Sequence, residues 1–183
     1  MLCLYSFRLF LTYVLFGFTC SAWPLYGRGA AKQFRIYAFG ANISGLQVFY
    51  ADGIAKIGDP TQSNAAEVVP VYFTASSTGE YTWLAHADSS NATWSTKALY
   101  LADGGSGEVG FTSSDSTGKL TDVWWHYGHY VMIKVDGANF YANPIAGATG
   151  WYTLSWSNSG QGGLDQTLVT LRTIEPSTGS LLS

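Results

Sequence analysis

Apolar and polar residues alternate in short runs along most of the chain after residue 32. In the run that starts at Tyr130, Val131 and Ile133 fall on one face, while the other face carries Tyr, Met and Lys. A period of two residues is typical of a half-buried β-strand, and no long segment shows the 3.6-residue period of a helix. The pattern predicts twelve strands: Gln33–Phe39, Leu46–Ala51, Ile54–Ile57, Glu67–Ala75, Tyr81–Ala87, Lys97–Ala102, Glu108–Ser113, Asp122–Tyr127, Tyr130–Val135, Asn139–Asn143, Trp151–Trp156 and Gln166–Thr173.

Three Asp-Gly steps mark turns between these runs. Asp-Gly tolerates the positive φ of a type I′ turn and is therefore a strong hairpin signal. We predict two-residue hairpins at Asp52-Gly53 and Asp136-Gly137, because strand-like sequence flanks both. Asp103-Gly104 leads into the sequence GGSGE, which predicts a wider turn.

Hairpins in series without helices predict an all-β protein. We expect a single antiparallel β-sandwich (jelly-roll-like) or a closed barrel of about 10–12 short strands. The domain is predicted to span residues 33–177, after a lead-in at 23–32 and before a disordered tail at 178–183. The run from Leu168 to Leu171 is apolar on both faces, which predicts a central strand.

The first 22 residues have the layout of a cleavable signal peptide. Arg8 precedes an apolar run from Leu9 to Cys20, and small residues at Cys20 and Ala22 flank a plausible cleavage site. The run is shorter than the roughly 20 residues of a membrane span, although an uncleaved signal anchor is the alternative. Both cysteines of the chain, Cys3 and Cys20, would leave with the leader, so we predict a mature protein without disulfides.

Charge narrows the possible partners. The chain has 9 Lys and Arg against 12 Asp and Glu, and it contains no basic run. Nucleic acid and anionic membrane surfaces are therefore poor partners. The C-terminal sequence lacks the hydrophobic tail of a lipid-anchor signal. We expect a secreted protein that is extracellular or held in a cell wall, with no membrane contact once the leader is removed.

Two Asn-x-Ser/Thr sequons, at Asn42 and Asn91, fall in predicted loops. In a secreted protein such sites can carry N-linked glycans. Such sequons arise readily by chance in a chain rich in Ser and Thr. We expect the two sites to carry glycans because the protein is predicted to be secreted and both sites lie in predicted loops.

The densest cluster of aromatic residues runs from Trp124 to Tyr130 and reads WWHYGHY. Large amphipathic rings on an extended segment can stack on the C–H face of a sugar, with polar groups fixing the hydroxyls. The alternative is that the strand is central and its rings belong to the core, which is also what we expect of Trp83, Trp94, Trp151 and Trp156. The candidate carbohydrate-binding residues are Trp124, Trp125, His126, Tyr127 and Tyr130.

No catalytic or metal-binding pattern stands out in the sequence. His126 and His129 match no zinc motif, and His86 is expected to be a surface or cross-strand residue. None of the glutamates sits between aromatics within a strand, and no G-x-S-x-G occurs. We therefore expect no cofactor and no metal, and the sequence favours a protein that is not an enzyme.

Three segments carry a resemblance to known proteins: RIYAFGANISGLQVFYADGIAKIGDP (Arg35–Pro60), WYTLSWSNSG (Trp151–Gly160) and LVTLRTIEPS (Leu168–Ser177). Together they look like a group of small secreted proteins of filamentous fungi. The likeness covers most of residues 33–177, and its motifs are structural. It implies a fungal secreted origin and a single β-rich domain, and it provides no catalytic residues to carry over.

Three classes of function fit these observations. The first is a non-catalytic extracellular or cell-wall-associated glycoprotein that binds polysaccharide through surface aromatics. The second is a secreted effector that binds a host or partner protein, against which the lack of cystines argues mildly. The third is a glycan-active hydrolase or lyase built on a β-sandwich. Exposure of the paired tryptophans, and any two carboxylates in one groove, would discriminate among them.

Overall fold

The computed structural model describes residues 32–75, 81–114, 117–160 and 163–177. These residues form thirteen strands and one short 3-10 helix at Pro60–Gln62. The predicted leader and tail, and the lead-in before residue 32, lie outside the described residues. The strands are β1 (Tyr37–Gly40), β2 (Ile43–Ala51), β3 (Ile54–Gly58), β4 (Val68–Ala75), β5 (Trp83–Ala87), β6 (Thr96–Ala102), β7 (Ser106–Thr112), β8 (Lys119–Leu120), β9 (Trp124–Tyr127), β10 (Tyr130–Ile133), β11 (Asn139–Pro144), β12 (Trp151–Ser157) and β13 (Thr167–Arg172).

The strands close into an antiparallel barrel. Ten of them follow the order β1-β2-β4-β5-β6-β7-β3-β12-β11-β13, and β13 pairs back onto β1. The closing register sets Tyr37 opposite Arg172 and Gly40 opposite Val169. β8, β9 and β10 are additional strands outside this ring. The predicted all-β class is confirmed, and of the two architectures the closed barrel is the one observed.

The Asp52-Gly53 hairpin is confirmed. Ala51 and Ile54 are paired residues on either side of it, and both turn residues have positive φ, 49° at Asp52 and 88° at Gly53. These are the requirements of a two-residue type I′ turn. The Asp52 carboxylate also accepts hydrogen bonds from the backbone N–H groups of Ala66, at 3.0 Å, and Glu67, at 2.7 Å, which fastens the loop before β4 to this turn.

The other two Asp-Gly steps differ from each other. Asp103-Gly104 lies in the wide turn between β6 and β7, as predicted. Gly137 has the predicted positive φ of 70°, and the Ala138 N–H donates to the Val135 carbonyl at 3.3 Å. The hairpin predicted there is nevertheless wrong. β10 pairs with β9 and β13, and β11 pairs with β12 and β13. The turn therefore joins two strands that lie on either side of β13 and do not pair with each other.

One continuous core fills the barrel, and it contains the buried tryptophans Trp83, Trp124 and Trp156. Trp151 is also buried, in a smaller cluster with Phe49, whereas Trp94 is only half-buried. β13 is central, as predicted, because it pairs with β1, β11 and β10. Its outer face is not buried, however, since Leu168 is 58% exposed. The described part of the chain contains no helix long and apolar enough to cross a membrane.

Candidate functional site

The two adjacent tryptophans of β9 point in opposite directions. Trp124 is fully buried, and its indole Nε1–H donates to the Leu99 carbonyl at 3.0 Å. Its ring stacks against Trp83, with centroids 5.8 Å apart, and against Phe140 at 6.0 Å. The prediction that placed Trp124 among the carbohydrate-binding residues is therefore corrected, because strand alternation turns this ring into the core and out of reach of a ligand.

The outward side of the β9–β10 hairpin carries a row of exposed side chains. The register sets Trp125 opposite Met132 and Tyr127 opposite Tyr130. Tyr127 is 71% exposed, Tyr130 42% and Met132 41%, while Trp125 is half-buried. Cross-strand neighbours on one face of an antiparallel pair lie about 5 Å apart. These four residues therefore form one continuous surface, which we call the aromatic face.

Gly128 and His129 form the two-residue turn that builds this hairpin. Tyr127 and Tyr130 pair directly across the turn, and Gly128 has a φ of 60°. Glycine at the first central position is the signature of a type II′ hairpin turn. The predicted strands end at Tyr127 and resume at Tyr130, but no hairpin turn was predicted between them. A Gly-His pair between two strand-like runs was the signal that could have identified the hairpin.

His126 does not belong to the aromatic face. It lies opposite Val131 in the register, and its ring packs 4.6 Å from Trp83 and 5.1 Å from Phe34. Partial burial, followed by the nearby positive charge of Lys32, lowers the pKa of His126 below its ordinary value. It occupies the opposite side of β9 from Tyr127 but is exposed, so carbohydrate binding by His126 stays a prediction that is separate from the aromatic face.

Arg172 adjoins the aromatic face and was not identified from the sequence. It pairs with Tyr130 across β10 and β13. Its guanidinium carbon lies 4.9 Å from the Tyr130 ring centroid and 5.1 Å from that of Phe39. Since β13 reaches β10 only through the barrel topology, nothing near Arg172 in the sequence indicates this contact.

Both predicted glycosylation sites are exposed. Asn42 lies in the turn between β1 and β2, with a φ of 59°, and Asn91 lies in the loop between β5 and β6. The hydroxyl of Thr93, the third residue of its sequon, donates to Glu67 Oε1 at 2.6 Å. The backbone N–H of Thr93 donates to the same oxygen at 3.1 Å. Glycan occupancy remains a prediction at both positions.

His86 and Glu67 both have structural partners. His86 is a cross-strand residue, as expected: its Nε2 lies 2.8 Å from the Thr74 hydroxyl, and its ring stacks on Tyr72 at 4.9 Å. Glu67 accepts a hydrogen bond from the Tyr50 hydroxyl at 3.0 Å. Hydrogen bonds from Thr93 lower the pKa of Glu67, while burial and the bond to Glu67 raise the pKa of Tyr50 to about 12.

A cavity of about 400 Å³ beside β1 brings two carboxylates into one groove. Asp88 and Glu175 both line it, together with Tyr37 and Tyr72. Asp88 is paired with Arg35, which also lines the cavity. Burial, followed by the negative charge of Glu175, raises the pKa of Tyr37 above its ordinary value.

Comparison with known proteins adds no assignment to these surfaces. No protein-family model, no curated protein and no solved structure matches the chain. Within the described ranges, no group of three or more His, Cys, Asp or Glu side chains is arranged to hold a metal ion. The aromatic face is the largest cluster of exposed aromatic side chains in the described residues, and its geometry is the basis for assigning a function.

Proposed function

We propose that this chain is a secreted, non-catalytic fungal glycoprotein, extracellular or associated with the cell wall, that binds polysaccharide through the aromatic face. One observation carries the proposal. Trp124 fills the core while Trp125, Tyr127 and Tyr130 line the outside of the same hairpin. The outer rings are therefore not needed to fill the core, and binding of a ligand would explain why they are exposed.

The chemistry of the aromatic face suits a sugar. Exposed Tyr and Trp rings present a broad apolar surface to the C–H groups of a pyranose, and their polar edges remain in water. An exposed row of large apolar groups on a soluble protein is commonly an interaction site. Two directly opposed tyrosines at a rigid hairpin provide a short platform, which supports weak binding to a repeating polymer rather than tight binding to a small ligand.

The proposal is tested by pull-down with insoluble polysaccharides and by a glycan array, using purified mature protein. Tyr127→Ser removes an exposed ring, whereas Tyr127→Phe keeps the ring and removes only the hydroxyl. We expect the serine variant to lose binding and the phenylalanine variant to retain most of it. Leu164→Ala is the matched control, because Leu164 is a fully exposed apolar side chain in the loop before β13.

Melting temperatures of the same variants separate binding from stability. All three substitutions affect exposed positions, so their effect on stability should stay within about 0.5 kcal/mol. If the wild-type protein binds no polysaccharide, or if Tyr127→Ser binds as well as wild type does, the proposed function is wrong. In the first case, capture of a host or partner protein by the same surface becomes the better explanation.

Secretion and glycosylation are tested independently of binding. N-terminal sequencing of secreted protein should begin at Trp23, as cleavage after Ala22 requires. Mass spectrometry with and without an endoglycosidase should find glycan at Asn91 and Asn42, both of which are exposed. A membrane-pelleted product that retains Met1 would contradict the secreted assignment.

Glycan cleavage is a second candidate function, favoured by the presence of Asp88 and Glu175 in one groove. Glycoside hydrolysis uses two carboxyl groups flanking the scissile bond. The raised pKa of Tyr37 argues against a lyase in which that tyrosine is the base. Release of reducing ends from a polysaccharide panel, abolished separately by Asp88→Asn and Glu175→Gln, would establish cleavage. Absence of release from every polymer that the protein binds would exclude it.

A further inference from the structure

Arg172 is held in place by two aromatic rings. The guanidinium carbon lies 4.9 Å from the Tyr130 ring centroid and 5.1 Å from that of Phe39. Contacts at this range are stabilising cation–π interactions, and they favour the conformer in which the guanidinium lies against both rings. The cation is thereby fixed at the border of the aromatic face, beside the ring that we propose stacks on a sugar.

No acidic side chain in the described part of the chain neutralises this cation. Among the described residues, the one ion pair joins Arg35 and Asp88, so no carboxylate lies within salt-bridge distance of Arg172. Its Nε is buried without a hydrogen-bond partner, while the side chain as a whole is partly exposed. A guanidinium has five N–H donors and normally satisfies them with carboxylates, carbonyls or water. The buried Nε is out of reach of a ligand, so any anion would be bound by the exposed part of the guanidinium, which has no ion-pair partner among the described residues.

We propose that Arg172 binds the carboxylate of a uronic-acid unit whose ring stacks on the aromatic face, so that the ligand is a carboxylated polysaccharide. This inference rests on the proposed function and adds the class of polymer to it. The planar guanidinium matches the geometry of a carboxylate and forms charge-assisted hydrogen bonds with it. Because the aromatic rings already restrict the side chain, binding costs little additional conformational entropy.

The charge of the chain favours a carboxylated ligand over a densely sulfated one. Acidic residues outnumber basic ones, and the formal net charge is −3. The protein as a whole repels both kinds of polyanion, but the repulsion is weaker for a polymer with one charge per sugar than for a heavily sulfated one, so a single cation offsets more of it. A polymer with one carboxylate per sugar can place a single negative charge at Arg172 while the apolar face of a sugar contacts Tyr127, the most exposed ring of the aromatic face.

The test compares polygalacturonate with its fully methyl-esterified form, which has the same backbone without the charge. We expect wild-type protein to bind the acid form about tenfold more tightly at low salt, the size of one charged hydrogen-bonded contact. The preference should diminish as salt is raised. Arg172→Gln should bind both polymers equally, at the level that wild type shows for the ester. Lys97→Gln is the matched control, because it removes one positive charge on β6 and should keep the preference.

Each outcome decides between the inference and the proposed function. If wild type binds both polymers equally and Tyr127→Ser weakens both, the inference is overturned and the proposed function stands. If no polysaccharide is bound, both are wrong. Tighter binding of dextran sulfate than of polygalacturonate would overturn the carboxylate assignment. If Arg172→Gln fails to fold, Arg172→Lys takes its place: it keeps the charge without the planar fork and should retain a reduced preference for the acid form. The comparison of the two polymers on wild type needs no variant.

Discussion

The buried aromatic cluster around Trp124 and the aromatic face are built from the same residue types in one hairpin, yet they perform different tasks. Trp124 stacks on Trp83 and Phe140 and satisfies its indole N–H internally. Tyr127, three residues further on, is 71% exposed. Since successive side chains of a strand point to opposite faces, a single segment can supply both a core anchor and a ligand surface. Aromatic density in a sequence therefore does not by itself distinguish stability from binding.

Trp124→Ala should give the largest effect on the buried side of this comparison. Removing a fully buried Trp leaves a cavity and costs about 3–5 kcal/mol, and it also leaves the Leu99 carbonyl without its donor. Denaturant unfolding measures the loss, with Trp124→Phe as the control that keeps an aromatic ring. A change in unfolding free energy below about 1 kcal/mol, which is typical of surface sites, would show that the two regions are not energetically distinct.

Gly128→Val should affect both regions through the turn that joins them. A β-carbon at Gly128 would meet no atom within 4 Å, so the penalty arises from the φ of 60° and not from a steric clash. A β-branched residue in that conformation costs roughly 1 kcal/mol or more. Gly128→Asn should recover most of the loss, because Asn tolerates positive φ. Equal melting temperatures for the two variants would contradict the assigned turn.

Trp125→Ala should have a small effect on stability and a large effect on binding, the opposite of Trp124→Ala. The ring is half-buried on the outer side, opposite Met132, so its removal should cost on the order of 1 kcal/mol, well below the Trp124 value. Polysaccharide pull-down should nevertheless be lost, because a ring of the platform is missing. The measurement is binding and unfolding on the same preparation. If Trp125→Ala unfolds as readily as Trp124→Ala, the outer ring has a structural role.

The pH dependence of stability should show a smaller effect at the boundary between the two regions, where His126 packs on Trp83 and Phe34. Its pKa is lower in the folded state than in the unfolded chain, so the unfolded chain binds protons first as pH falls. Stability is then highest above the ordinary histidine pKa of about 6.5 and declines as pH falls through the folded value. His86 shifts in the same direction.

Melting temperatures between neutral pH and mildly acidic pH test this expectation. His126→Gln should reduce part of the decline in melting temperature as pH falls, and His86→Gln should reduce the remaining part. Glu67 contributes in a different window: its lowered pKa means that its contribution is lost only as pH falls below the ordinary carboxyl range. A profile that is unchanged in both histidine variants would contradict the assigned environment of these rings.

Local structure could be predicted from the sequence because it depends on local physics. Each of the twelve predicted strands overlaps an observed one, since alternation and turn residues act over a few positions. β8 was missed because two residues, Lys119 and Leu120, are too few to show a period. The Asp52-Gly53 hairpin was predicted correctly because both of its strands are adjacent in the chain.

Features that depend on distant segments could not be predicted in this way. The Asp136-Gly137 turn has the local conformation that its residues favour. The two strands that the turn joins, β10 and β11, nevertheless pair with β13 and not with each other. The same strand brings Arg172 against Tyr130 and Phe39. Strand alternation requires Trp124 and Trp125 to point to opposite faces, but it does not tell which of the two faces the core. The position of β9 relative to the rest of the barrel determines which of the two tryptophans is buried.

Closure of the barrel by β1 and β13 also determines when the fold can be completed. Tyr37 and Arg172 are partners although nearly the whole barrel sequence lies between them. Contacts of such high sequence separation make folding slow, on the millisecond-to-second scale typical of all-β topologies. Of the described strands, β13 is the last to be synthesised, and until it is available β1, β10 and β11 each have an edge without its final partner. The observed closure of the barrel therefore has to wait for β13, while hairpins such as β2–β3 and β11–β12 can pair before it.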